Sequence, residues 1–573
     1  MILQALVEYY DRKAADPDAA LAAEGFEWKE IPFILELDSE GKLIQIADTR
    51  ELQGKKAIAK RFLVPQAVKK TSGVAANLFW DTAEYVLGFD RKGKPERALA
   101  QRSAFAERIK SLEAVQEDAG VRAVLAFLAN PESVNLLEAH FPAQYRELLE
   151  INPVLSFRMA GEVGLVCERR AVQAALRNDR DETSANGFCL VRGKDDSIER
   201  LHTAIKGVWG AQSSGANIVS FNLDAFNSFG KAQGANAPVG KQAAFAYSTA
   251  LNHLLGRDSR QRIQVGDAST VFWSRDACAL ESDLLALLGE TPKDDPDQGA
   301  QAVANLYAAI KNGVYAADDS SNRFYVLGLA PNAARISVRF FHSGPVREIA
   351  GNIKAHFDDL DIERARYDKS HLSIFRLLTS IAPQGKADSI PPNLAGDFAR
   401  SILVASPYPA TLLQAAVRRV RAEHEINYPR AALLKAVINR QTRSQQCNDK
   451  ELNVSLDLSN NNAGYRLGRL FAVLERAQER ANPGLNATIR DRYYGAASST
   501  PVAVFSNLMK LKNHHIAKLE NKGEAVNLEK LIGEVMDGVS DFPAHLALAD
   551  QGRFAVGYYH QRQAFYNKST SPE

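Results

Sequence analysis

The chain has 573 residues, 46% of them hydrophobic and 24% charged, proportions of an ordinary globular protein with room for more than one core. Its 70 Lys and Arg against 68 Asp and Glu leave a formal net charge of +2, so global charge neither demands nor excludes a nucleic-acid partner, and any basic surface must be local. The cysteines Cys167, Cys189, Cys278 and Cys447 lie far apart with no CxxC pair, and no apolar run approaches a membrane span, which argues against a zinc site and for a reduced cytoplasmic setting.

In chain order, Ile2, Leu3, Leu6, Val7 and Tyr10 recur at helical spacing and predict a first helix over Met1–Lys13. Alternating Ile31, Phe33, Leu35 and Leu37, the turn Asp38-Ser39-Glu40-Gly41 and a strand through Leu43 to Ala47 predict a hairpin. After Pro65 comes a polar turn, Lys69-Lys70-Thr71-Ser72-Gly73, then Asn77 and apolar Leu78, Phe79 and Trp80. Lysines suit phosphates or a groove, and Asn can make a two-point contact with a base edge; an ordinary polar turn has the same composition. Ser111–Leu128 reads as helical.

Between Ile205 and Leu255, Gln212, Ser213, Ser214, Asn217, Ser220, Asn222, Asn227, Ser228, Gln233 and Asn236 are threaded among Trp209, Phe221, Phe226 and Phe229. Amides and hydroxyls in such a context need partners, and a polynucleotide supplies many. Asn222, Ser228, Lys231, Gln233 and Asn236 are the candidate DNA contacts. A glycine-rich loop folded onto itself is the equal alternative.

Gln242–Leu255 is a predicted helix. Phe324–Leu329, Pro331-Asn332 and alternating Ile336, Val338 and Phe340 predict a second hairpin. Ala382–Pro392, with three prolines and a glycine, reads as a boundary. Beyond it, Leu412, Leu413, Ala416, Val417 and Val420 form one helical stripe and Leu467, Leu470, Phe471 and Leu474 another. The expected fold is α+β, with a mixed N-terminal α/β body carrying antiparallel hairpins over 1–391 and an all-α bundle over 392–573.

Reaction chemistry is harder to find. Gly234-Ala-Asn-Ala-Pro-Val-Gly240-Lys241 fails as a phosphate-binding loop: it has one residue too many, an internal Pro, and Gln242 where Ser or Thr must reach magnesium. His356 with Asp358, Asp359 and Asp361 reads as a solvated helix face rather than a metal cluster, and His514-His515 diverge on a helix. No nucleophile elbow is present. No catalytic residue, metal or cofactor is assigned. On the helix Tyr465–Arg480, Arg466, Arg469, Arg476 and Arg480 gather on a side away from the leucines. Together with Arg418, Arg419, Arg421, Arg430, Lys435, Arg440 and Arg443 they read as a line suited to a phosphate backbone, the alternative being a solvated face.

Several separated blocks carry a resemblance: MILQALVEYYDR, KKTSGVAANLFWDTAEYVLG, IKGVWGAQSSGANIVSFN, NAPVGKQAAFAYSTALNHLL, FYVLGLAPNAARISVRFF, PPNLAGDFARSIL, YRLGRLFAVLERAQ and LNATIRDRYYGAASSTPVAVF. In this order they resemble the large subunit of the type I-C CRISPR Cascade, a crRNA-guided DNA surveillance complex. The family often has Ser at the position of Ala330, and the region Asn460–Ala463 is shortened. The resemblance implies a non-catalytic subunit beside the one holding the crRNA 5′ end. It implies reading of a protospacer-adjacent motif in duplex DNA, a start to strand separation, and stabilisation of the R-loop. Backbone subunits, small subunits, the displaced single strand and a recruited helicase–nuclease are the implied partners. The C-terminal part resembles the small subunits, which family genes can also produce alone from an internal start. A nuclease with a dispersed active site and a protein-only scaffold are the other readings.

Overall fold

The computed structural model of the chain describes residues 2–16, 19, 21–53, 56–68, 73–91, 93–178, 186–265, 268–288, 299–315, 321–445 and 449–567. The class is α+β, as the sequence pattern predicts. Two compact units emerge: Met1–Lys206 with Gln212–His253 and Ala333–Arg335, and Gly207–Ala211 with Leu254–Asn332 and Ile336–Glu573.

In the first unit the helix Ile2–Ala14 buries Leu6, Val7, Tyr9 and Tyr10. It is held against Lys241–Leu254 by Tyr9, whose hydroxyl bonds His253 Nδ1 at 3.1 Å, and by Tyr10, edge-on to Phe245. The predicted first hairpin forms. Phe33–Leu37 pairs antiparallel with Leu43–Asp48, and Asp38 Oδ1 accepts the N–H groups of Glu40 and Lys42 at 2.9 and 2.8 Å. Gly41 turns at φ +82°, and a Cβ there would lie 2.5 Å from the Ala123 carbonyl oxygen, so glycine is needed twice over. The other edge of Phe33–Leu37 runs parallel to Val154–Met159, which pairs with Trp80–Thr82. This central strand buries Ile34 as well as Phe33, Leu35 and Leu37, because both faces of the sheet are covered.

The predicted helix over Ser111–Leu128 is broken. One helix ends at Lys110, and the next, Ala119–Ala129, starts afresh where Asp118 Oδ1 accepts from Gly120 and Val121 N–H. A carboxylate cap overrode continuous apolar spacing.

In the second unit four strands run in the order Arg262–Val265, Ala268–Ser274, Arg323–Asn332, Arg335–Pro345. The last two are the predicted second hairpin. One apolar core extends from Ile263 through the helices to Tyr559. The proline-rich segment is therefore not a domain boundary. It makes two short 3-10 turns, Pro383–Gly385 and Ala387–Ser389, between the helices Ile374–Ile381 and Pro392–Leu403, and residues of both helices enter that core. The division expected at 391/392 gives way to the one above.

Two helices, Tyr428–Gln445 and Ala463–Ala481, are buried all round over most of their length, from Tyr428 to Arg440 and from Gly464 to Glu475. Ala463–Ala481 lies against Leu548–Asn567 at backbone contact: a Cβ on Gly468 would sit 2.0 Å from Phe554 O, and one on Gly557 2.2 Å from Tyr465 O. Gly468→Ala is expected to lower stability by about 3 kcal/mol, the upper end for overpacking, because the obstacle is backbone. Gly533→Ala, on an exposed face with open space around it, should be neutral or slightly stabilising. Paired chemical denaturation of the two variants makes the comparison.

Candidate nucleic-acid interface

The Asn-rich segment is pinned rather than woven into a sheet. Isolated bridges join Ile205 to Ala216, Asn217 to Arg335 and Ser228 to Lys231. Its amides serve the loop itself. Asn217 Nδ2 donates to His202 O at 3.0 Å, and Asn252 accepts Lys206 N–H at 2.7 Å while donating to Ala204 O. Asn236 is a staple: Oδ1 accepts Ser228 N–H at 2.9 Å, and Nδ2 donates to Lys231 O and Gln233 O at 3.1 and 3.0 Å. Asn222 accepts from Arg335, whose guanidinium lies 4.2 Å from the centre of the Phe226 ring. Of the five candidate contacts, Asn222 and Asn236 thus shape the loop. Gln233 is half-buried at φ +48°, and Ser228 and Lys231 face solvent.

The staple fixes a two-residue turn. Lys231 N–H donates to Ser228 O at 2.9 Å, with Phe229 and Gly230 between them at φ +51° and +69°. Positive φ at both central positions marks a tight hairpin turn in which Asn-Gly is usual. Phenylalanine there is strained, and its ring is 97% exposed. The Phe229 side chain has no ring partner among the described residues. Sequence reading counted Phe229 only as apolar context. The signal available was the four-residue string Ser-Phe-Gly-Lys, with Gly placed for a turn.

The polar turn after Pro65 is described only at its neck, and Lys69, Lys70, Thr71 and Ser72 lie outside the described residues. Gly73 is exposed at φ +89°. Asn77 is 5% exposed: its Oδ1 accepts Val68 N–H at 3.0 Å, and its N–H donates to Asp81 Oδ2 at 2.9 Å. Trp80 Nε1 donates to Pro65 O at 2.7 Å beside them. As a direct base contact Asn77 is corrected. It closes the neck because a buried amide must bond something, and Val68 is there.

The predicted arginine line is corrected most. Arg466 donates to Asn460 O at 3.1 Å and to Glu534 O and Val535 O at 3.4 and 3.1 Å, so it caps the C-terminal end of the helix Lys522–Met536. Arg469 is 2% exposed, with Nε on Gln561 Oε1, and burial lowers its pKa. Arg476 and Arg480 reach solvent but face Glu479 and Glu524. Arg430 bonds Ser380 O and Glu425 O and pairs with Glu423. Lys435, Arg440 and Arg443 converge on Asp359. The cations left outward are Arg418 and Arg421 on the helix Ala410–Glu423.

The solvated face expected at His356, Asp358, Asp359 and Asp361 holds for Asp358 and Asp361, which are exposed, and is corrected for the other two. His356 is fully buried, 2.6 Å from the Tyr408 hydroxyl, and Asp359 is 4% exposed. Among the described residues no group of three His, Cys, Asp or Glu is placed to hold a metal, and no helix is long and apolar enough to cross a membrane.

Of the described candidate cations, Lys231, beside the Phe229 ring on its turn, and Arg418 and Arg421 on a helix face outward, while most of the arginine line is buried or paired. The chain belongs to the CRISPR-associated protein (Cas_Csd1) family, whose model matches residues 6–566. It is accordingly a Cascade-type subunit, a member of a CRISPR effector complex with other Cas proteins and crRNA. No curated protein matches it.

Proposed function

We propose that this chain is the large subunit of a type I-C Cascade. It reads a short motif in duplex DNA, helps open the adjoining base pairs and stabilises the R-loop, while cleavage belongs to a helicase–nuclease recruited to it. The observation that carries this reading is the Ser228–Lys231 turn. Two costs, a strained Phe229 and a solvated aromatic ring, are met there with no ring partner for Phe229 among the described residues. Apolar rings presented in this way enter base steps and unstack them. Lys231 supplies a cation for the flanking phosphate, and the Asn236 staple keeps the ring from folding back. Lys69, Lys70, Thr71 and Ser72, between Val68 and Gly73 in the sequence, are the proposed motif-reading group.

The test uses the complex assembled with its crRNA and a motif-bearing duplex carrying 2-aminopurine at the first target pair. Phe229→Ala should reduce opening by about 1–2 kcal/mol, roughly tenfold, while initial duplex binding persists. A duplex already mismatched at that pair should restore the variant to wild-type behaviour. If Phe229→Ala opens the intact duplex as well as wild type, the turn has no part in strand separation. If subunit assembly fails instead, the protein-only scaffold is the better description.

A further inference from the structure

The connection between the helices Val346–Leu360 and Ile374–Ile381 carries a second aromatic with no ring or hydrogen-bond partner among the described residues. Tyr367 is 86% exposed. It sits on a turn closed by Asp368 N–H donating to Ala365 O at 3.1 Å and by Ala365 N–H donating to Asp368 Oδ2 at 3.2 Å. The base of the connection is fastened on all sides. Glu363 N–H donates to Val454 O at 2.8 Å, and the Tyr559 and Tyr428 hydroxyls donate to Glu363 O and Ser370 O at 2.9 and 3.4 Å. The rings of His371 and Tyr307 lie 4.3 Å apart, and Ile362 and Leu372 are buried. Rigid anchorage of this kind stops the turn from collapsing onto its own aromatic.

The charges are sorted as well. Asp361 is paired with Arg364, and Asp368 is turned back to the backbone. Arg366 and Lys369, both exposed, have no hydrogen bond or ion pair with any described residue. The tip therefore offers one flat ring between two unneutralised cations. The residues flanking the ring on the turn are Arg366 and Asp368, charged where the core of a protein–protein contact is depleted of charge.

We propose that the turn Ala365–Asp368 is a binding site for single-stranded nucleic acid, with one unpaired base stacked on Tyr367 and the neighbouring phosphates held by Arg366 and Lys369. A duplex hides its base faces in its own stack, so an isolated ring with flanking cations matches a strand whose bases are free. The proposal rests on family membership in a crRNA-containing complex, not on the duplex-opening role of Phe229.

The experiment measures fluorescence anisotropy of a short mixed-sequence DNA strand on the full chain, with internal 2-aminopurine reporting stacking. Tyr367→Ala should weaken binding roughly 5- to 150-fold and abolish the stacking signal. Tyr367→Phe keeps the ring and should keep both. Arg366→Ala with Lys369→Ala should reduce the salt dependence by about 1.4, at about 0.7 per phosphate contact on a single strand. Tyr367 bears no packing load, so all variants should melt as wild type does. Equal strand affinity for wild type and Tyr367→Ala overturns the proposal, as does a wild-type chain that binds no strand. Loss of subunit assembly with unchanged strand binding overturns it in favour of a protein contact. Phe229→Ala should leave strand binding intact, and Tyr367→Ala should leave duplex opening intact, so the two sites fail separately.

Discussion

Asp359→Ala should destabilise the second unit by about 3–5 kcal/mol, the cost of removing one partner from a buried ion pair. Asp359 Oδ2 accepts from Arg440 Nε at 2.7 Å, its Oδ1 accepts from Arg443, and its carbonyl oxygen takes Lys435 Nζ at 2.9 Å. Arg440 is itself buried, with its guanidinium 4.1 Å from the centre of the Tyr408 ring and further bonds to Ser401 O and Ser406 O. Taking away the carboxylate leaves that charge in a dry site whose carbonyls offset only part of the loss. Amide exchange along Tyr428–Gln445 reads the local stability directly. The double variant Asp359→Ala with Arg440→Met should recover much of the loss, since the buried Arg440 charge goes with its partner and Lys435 keeps its bond to the carbonyl oxygen of residue 359. If the double variant is worse than the single, the pair is worth more than its desolvation.

Acid should weaken the same unit well before the carboxylates titrate. His560 bonds the Tyr465 hydroxyl at 2.9 Å in the bundle, and burial, with Lys435 nearby, lowers its pKa to about 3. His356, beside Tyr408, is held well below the ordinary value by burial and then by Arg440. Both fold as neutral rings, while an unfolded chain protonates them near pH 6.5. Their stabilisation is complete above that pH and drains away as pH falls toward the folded-state values. For His560 the slope approaches about 1.4 kcal/mol per pH unit, a cost of about 1.2 kcal/mol between pH 6 and pH 5, and His356 adds to it in the same direction. Urea midpoints at pH 7, 6 and 5 test this. His560→Gln should lower the slope by up to about 1.4 kcal/mol per pH unit, and an unchanged slope would place the sensitive groups elsewhere.

Periodicity made much of the fold legible. The first helix, both hairpins, Lys241–Leu254 and the leucine stripes of Ala410–Glu423 and Ala463–Ala481 stand where apolar spacing places them. Charges were misread because a helical wheel separates faces but cannot say how many of them are covered. Arg466 and Arg469 lie off the leucine stripe, yet that helix is buried all round from Gly464 to Glu475, and there its off-stripe faces meet other helices. Gly464 and Gly468, one turn apart, were the available warning: small residues at that spacing mean that another backbone comes close. Asn-rich composition was ambiguous in the opposite direction. Asn222 and Asn236 bond within their loop, and what they hold out is Phe229, a residue that composition counts toward a core.

The close seam between Ala463–Ala481 and Leu548–Asn567 also sets a timetable for biosynthesis. The first of these helices leaves the ribosome more than eighty residues before the second is complete. At about 5–20 residues per second this is a delay of roughly 4–17 s. Throughout it the nascent chain holds Gly468 and Arg469 without Phe554 and Gln561, against which they close. Rare codons or a slowed ribosome between residues 482 and 547 would lengthen that window, and holdase chaperones would be needed there sooner than anywhere upstream.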